Sequence, residues 1–215
     1  RWLVKHVVPA ESIGMLFGGS GTFKSFIAID MALHVAHGLP WMGRRTDKGP
    51  VLYIAAEGGA GLWNRIDAWH RARPGLRWQD ADLFVVPAAI DLTADAWRVV
   101  DAAQAVGATP MMVVVDTLSQ TYAGEENSAN EMAAYLRELG LRFRQLWQCA
   151  VMRIHHSGHQ ATERRIADAD AVGVYRLHDR PIGAFGSVIT TRFARVIFGG
   201  ARVSLLLVVG VARPA

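Results

Sequence analysis

Along the chain, short unbroken apolar runs alternate with longer stretches in which apolar residues recur at helical spacing. The runs at residues 13–18, 50–56, 83–86, 111–116 and 150–154 have strand length and predict five strands. Pro50-Val51-Leu52-Tyr53-Ile54-Ala55-Ala56 is apolar at successive positions, so both faces of that strand are expected to be covered by helices. The intervening stretches predict helices over 24–36, 60–73 and 94–106. Gly38 and Pro40 end the first of these, and Gly107 and Pro110 the third. Ser128 and Glu131 have capping-box spacing and predict a further helix from there to about residue 147. Residues 41–49, with Arg44, Arg45 and Lys48, read as a surface loop. Strands and helices alternating in this way predict a doubly wound, mostly parallel α/β sheet with helices on both faces. No internal repeat, low-complexity tract or linker interrupts the pattern, and residues 1–215 are read as one domain.

Composition adds exclusions. With 51% hydrophobic and 20% charged residues, the chain has the balance of a folded globular protein. No apolar run approaches the roughly 20 residues of a membrane-spanning helix, so no membrane partner is expected. The longest run, at residues 205–212, predicts a buried strand instead. The amino end, Arg1-Trp2-Leu3-Val4-Lys5, lacks a signal peptide's long apolar segment and begins without methionine, as a fragment would. One cysteine, Cys149, lies in an apolar run and excludes an internal disulfide or a Cys-rich metal site. A reducing cytoplasm is the expected compartment. The net charge of +4 is uneven: residues 1–152 hold 14 Lys/Arg against 15 Asp/Glu, and residues 153–215 hold 9 against 4. That basic end suits either nucleic acid phosphates or plain solvation.

Candidate chemistry begins where the first apolar run meets the first helix. Gly18-Gly19-Ser20-Gly21-Thr22-Phe23-Lys24-Ser25 is a glycine-rich phosphate loop in a strand–loop–helix setting. Its glycines let successive backbone N–H groups turn inward, and the helix start adds partial positive charge. Lys24 is expected to reach the β- and γ-phosphates of ATP, and the Ser25 hydroxyl to join a magnesium shell. Phe23 stands where glycine is usual before the lysine. A bulky residue fits there only if the backbone is already helical, because positive φ strains it.

Three further polar signals end other strands, and ligands of open parallel sheets gather at the carboxyl ends of strands. Asp116 closes the 111–116 run and is the carboxylate expected to hold magnesium through water. Glu57 follows the 50–56 run and is suited to polarising the water that attacks a γ-phosphate, with an acidic helix cap as its plainer role. His155 and His156 end the 150–154 run, where one histidine has hydrogen-bonding reach to the γ-phosphate. Strand alternation sends the two side chains to opposite faces, so only one is expected at the nucleotide. A zinc site there lacks nearby Cys and carboxylate ligands at suitable spacing, with His159 the only other close histidine. Arg153, a charge inside an apolar strand, is costly to bury without a partner.

Taken in order, the phosphate loop, Leu52-Tyr53-Ile54-Ala55-Ala56-Glu57-Gly58, Val115-Asp116-Thr117-Leu118, Glu125-Glu126-Asn127 and Ile154-His155-His156-Ser157-Gly158 resemble the RepA-type hexameric replicative helicases. These are a branch of the RecA-like P-loop ATPases met in plasmids and phages. The resemblance covers about residues 10–160. It implies Lys24 and Ser25 for phosphate and magnesium, Asp116 for magnesium, Glu57 as catalytic carboxylate, and His156 more than His155 as γ-phosphate sensor. It also implies Arg65 as an arginine near the nucleotide, where a solvated helix arginine is the plainer role. Single-stranded DNA as partner and a homo-hexamer follow from the resemblance alone. The chain departs from the family after His156, where an Arg-Gly-Ser-Ser-Ala-like segment supplies an arginine finger. Ala161-Thr162-Glu163-Arg164-Arg165-Ile166-Ala167-Asp168 lacks that Gly-Ser-Ser, and residues 177–215 show no likeness. Three activities are therefore weighed: a DNA-coupled ATPase, a nucleotide-binding module with little turnover, and a small-molecule phosphotransferase. Glu57 and the lack of any legible acceptor pocket disfavour the third.

Overall fold

The computed structural model describes residues 1–19, 21–57, 59–124, 128–156, 189–198 and 201–210, with backbone only for residues 59, 60, 156, 189–198 and 201–210. Its centre is a five-stranded, all-parallel sheet built from β3 (Ile13–Gly18), β4 (Val51–Ala55), β5 (Leu83–Val86), β6 (Met112–Asp116) and β7 (Ala150–His156), in the order β3-β7-β6-β4-β5. A short antiparallel pair, β1 (Trp2–Val4) with β2 (Val8–Pro9), precedes it. The expected parallel α/β architecture with helices on both faces is thus present: every predicted strand of the sheet forms, and β7 separates the phosphate-loop strand from the strand that carries Asp116.

Burial explains why the runs at β4 and β6 are apolar throughout: every residue of both strands is buried. Alternate positions face opposite layers. On one side Val51, Tyr53, Met112, Val114, Met152 and Ile154 pack against α1 (Lys24–His37) and α2 (Gly59–Arg71). On the other, Leu52, Ile54, Val113, Val115 and Val151 meet α3 (Ala96–Ala105), α4 (Leu118–Thr121) and α5 (Ala129–Leu139). Helix boundaries agree with the pattern to within a few residues. The helix that Ser128 opens reaches residue 147 as expected, with one difference: after α5 it passes through a π-helical turn, Gly140–Gln145, before helical residues resume at 146–147. Its start is as expected, since the Ser128 Oγ accepts a hydrogen bond from the Glu131 backbone N–H (3.4 Å). Cys149 is buried just before β7 and its thiol donates to the Phe143 carbonyl; burial pushes that thiol up to about 12.

The apolar run near the end of the chain lies in β9 (Ala201–Gly210), which pairs antiparallel with β8 (Ile189–Phe198) in a separate two-stranded ladder. Among the described residues, no helix is long and apolar enough to cross a membrane.

Candidate functional site

The loop after β3 curls because its residues allow it. Gly21 has φ 75°, a left-handed conformation that costs glycine little. At Gly18 a Cβ would lie 3.0 Å from the Thr22 hydroxyl, so the loop closes tightly there; that hydroxyl in turn donates to the Gly19 carbonyl at 2.8 Å. Phe23 corrects the sequence expectation. Its backbone is not helical but left-handed, φ 62° and ψ 20°, at the cap of α1. The position demands the conformation that glycine usually supplies, and phenylalanine adopts it under strain. Ser20 and Gly58 lie outside the described residues.

Lys24 opens α1 with only 3% of its surface exposed. Its ammonium donates to the carbonyls of Gly18 (2.9 Å) and Gly19 (2.7 Å), which hold it over the loop. Burial lowers its pKa, opposed by the charges of Glu57 and Asp116. Ser25, next along the helix, donates to Asp116 Oδ1 at 3.1 Å, linking loop and β6 across 91 positions of sequence. The other carboxylate oxygen of Asp116 accepts a 2.6 Å hydrogen bond from the buried Tyr53 hydroxyl on β4. Burial raises the Asp116 pKa above its ordinary value, while the hydrogen bonds from Tyr53 and Ser25 pull it down. Tyr53 is pushed well above its own ordinary value, by burial first and then by the Asp116 charge.

Glu57 stands in the turn after β4, where its carboxylate accepts from the Thr117 hydroxyl at 2.9 Å. That hydrogen bond ties the residue after β6 to the turn after β4. Ser25, Tyr53, Glu57, Leu62, Arg65 and Asp116 line one cleft of about 180 Å³. Arg65 reaches it from α2 and lies over the Phe26 ring, 4.6 Å from the ring centre.

His155 and His156 are in register with Phe17 and Gly18 of β3. Alternation along β7 gives His155 the parity of Val151, toward α3 and α5, whereas Asp116 shares the parity of Met112 and Val114, toward α1 and α2. His156 is therefore the member of the pair whose position adjoins the loop; its side chain, like Arg164 and Arg165, lies outside the described residues. Arg153 is buried on β7, and its Nε has no hydrogen-bond partner among the described residues; burial lowers its pKa, opposed by Tyr135.

Two oxygen donors 3.1 Å apart, Ser25 Oγ and the Asp116 carboxylate, fit a magnesium ion that takes its remaining ligands from water and phosphate. No group of three His, Cys, Asp or Glu side chains suited to a metal occurs among the described residues. Sequence reading missed Tyr53, Thr117 and Phe26. Each looks like ordinary strand, loop or helix sequence, and only the pairing of β4 with β6 and of α1 with α2 gives it a partner.

A family model described as "AAA domain" matches residues 1–162. No curated protein matches the chain. Among solved structures, the chain is similar to the RadB recombinase at 19% identity and a TM-score of 0.49, over 73% of this chain and 66% of that one. It therefore spans just under two thirds of that protein's length.

Proposed function

This chain belongs to the AAA domain family, and from that premise we propose that it is an ATP-hydrolysing motor domain acting on single-stranded DNA, of the hexameric replicative helicase type. The observation that carries the reading is the cleft itself. A serine–aspartate pair of magnesium character, a carboxylate and an arginine converge there from four separate elements, and the phosphate-loop lysine precedes that serine on α1.

In this reading Lys24 exchanges its two loop carbonyls for β- and γ-phosphate oxygens. Tyr53 and Ser25 hold the Asp116 carboxylate in one orientation, facing the phosphates. A magnesium ion bound by Ser25 and Asp116 would neutralise charge on the β- and γ-phosphate oxygens. Glu57, steadied by Thr117, orients and polarises the attacking water. Arg65 adds positive charge at the same end of the cleft, and His156 is assigned to sense the γ-phosphate.

The second reading, nucleotide binding with little turnover, is favoured by one sequence observation. The segment after His156 lacks the Gly-Ser-Ser expected beside an arginine finger, and such arginines supply about 10³–10⁵ in rate. Steady-state ATP hydrolysis with and without single-stranded DNA separates the two. DNA-stimulated turnover supports the motor; tight Mg-ATP binding with negligible turnover supports the binding module.

A further inference from the structure

We propose that Phe26 is a positioning residue for this nucleotide site, holding the Arg65 guanidinium at the cleft by a ring-face contact. The proposal rests on the ATP reading above. Arginines elsewhere on and after α2 are held by carboxylates: Arg71 by Asp67, Arg73 by Asp30 and Arg77 by Asp80. Arg65 makes no ion pair among the described residues; its guanidinium carbon lies over the Phe26 ring, 4.6 Å from the ring centre.

That difference matters chemically. A carboxylate would occupy the N–H donors of the guanidinium and cancel its charge, whereas a ring face attracts the cation and leaves its edge donors available to an anion. A long side chain confined before binding loses less rotamer freedom when phosphate arrives. Phe26 is badly used as a core residue, with 42% of its surface exposed on the third position of α1. It is held in turn by Phe23, whose ring meets it edge-on at 5.8 Å. Phe23, Phe26 and Arg65 thus form a chain of contacts from the phosphate loop to α2, beside the cleft that also holds Glu57 and Asp116.

The test is equilibrium binding of Mg-ATP to the wild-type protein and to Phe26→Leu, Phe26→Tyr, Arg65→Ala and the Phe26→Leu/Arg65→Ala double variant. Phe26→Leu should weaken ATP by about two- to five-fold, the size of an exposed cation–π contact. Phe26→Tyr keeps a ring face and should bind as wild type. In the Arg65→Ala background, Phe26→Leu should cost nothing further, because the residue then has no guanidinium to hold. Phe26→Met serves as a second non-aromatic variant should leucine disturb folding. Wild-type affinity in Phe26→Leu, a tyrosine variant as weak as leucine, or fully additive losses in the double variant would each overturn the positioning role. Lys24→Ala is the control for the parent reading: loss of binding in that variant upholds ATP at the loop whatever Phe26 does. A wild-type protein that binds no ATP removes both claims.

Discussion

Phe23 sits at φ 62° next to the phosphate-loop lysine of the proposed site, and its side chain bears a backbone cost that glycine would avoid. The expected outcome is that Phe23→Gly is more stable than Phe23→Ala by about 1 kcal/mol, since both lose the ring and only alanine retains the strain. Urea unfolding of the two variants checks it; equal midpoints would mean the left-handed conformation is not imposed. Asp116 shows the opposite compromise between stability and use. Its carboxylate is buried, with its pKa raised by that burial, yet it receives hydrogen bonds from both Ser25 and Tyr53. Asp116→Asn removes the buried charge; its Oδ1 can accept from one of the two hydroxyls while its NH2 donates to the oxygen of the other, so thermal unfolding should stay level or move upward while Mg-ATP binding weakens sharply. A large drop in melting temperature would show that the charge itself supports the fold. At this scale, the candidate residues Ser25, Asp116 and Glu57 could be brought together from the sequence because a phosphate loop and the carboxyl ends of parallel strands converge in such a sheet. Tyr53 was not legible: its hydroxyl acquires meaning only when β4 and β6 pair in register and bring Asp116 beside it.

Among the elements, β4 and β6 were legible because a strand buried on both faces leaves an unbroken apolar signature. The π-helical turn inside the helix that Ser128 opens was not, since it keeps apolar residues such as Phe143 at nearly helical spacing. Contact between α1 and α2 involves more than apolar packing. His37 Nε2 and His70 Nε2 lie 3.1 Å apart, His37 stacks on Trp69, and Asp30 accepts from the indoles of Trp41 and Trp69. The pKa of His37 is lowered from its ordinary 6.5, by burial first and then by His70, with Asp80 acting in the other direction. The folded state therefore favours the neutral ring, so this contact is fully stabilising above pH 6.5 and weakens as pH falls from there toward the depressed folded value. Urea midpoints measured from pH 8 to pH 5 should fall more steeply in the wild type than in His37→Phe. Parallel curves for the two proteins would show that another group dominates the acid response.

For the molecule as a whole, the parallel sheet gathers residues 25, 57, 65 and 116 into one cleft although they come from separate helices and strand ends. The basic excess of residues 153–215 gives a separate expectation. If those residues engage DNA phosphates, single-stranded DNA affinity should fall steeply as salt rises from about 50 to 200 mM, because bound counterions are released. Salt-insensitive binding, followed by fluorescence anisotropy, would assign the contact to something other than that charge. The central claim is that the cleft both binds and hydrolyses ATP, with Glu57 needed for the second step alone. Glu57→Gln preserves the shape of the side chain and its capacity to accept from Thr117 while removing the base. The decisive measurement is Mg-ATP affinity and steady-state hydrolysis on the same preparations of wild type and Glu57→Gln. The account predicts matching affinities and hydrolysis reduced by about 10²–10⁴ in the variant; equal hydrolysis rates in the two proteins would contradict it.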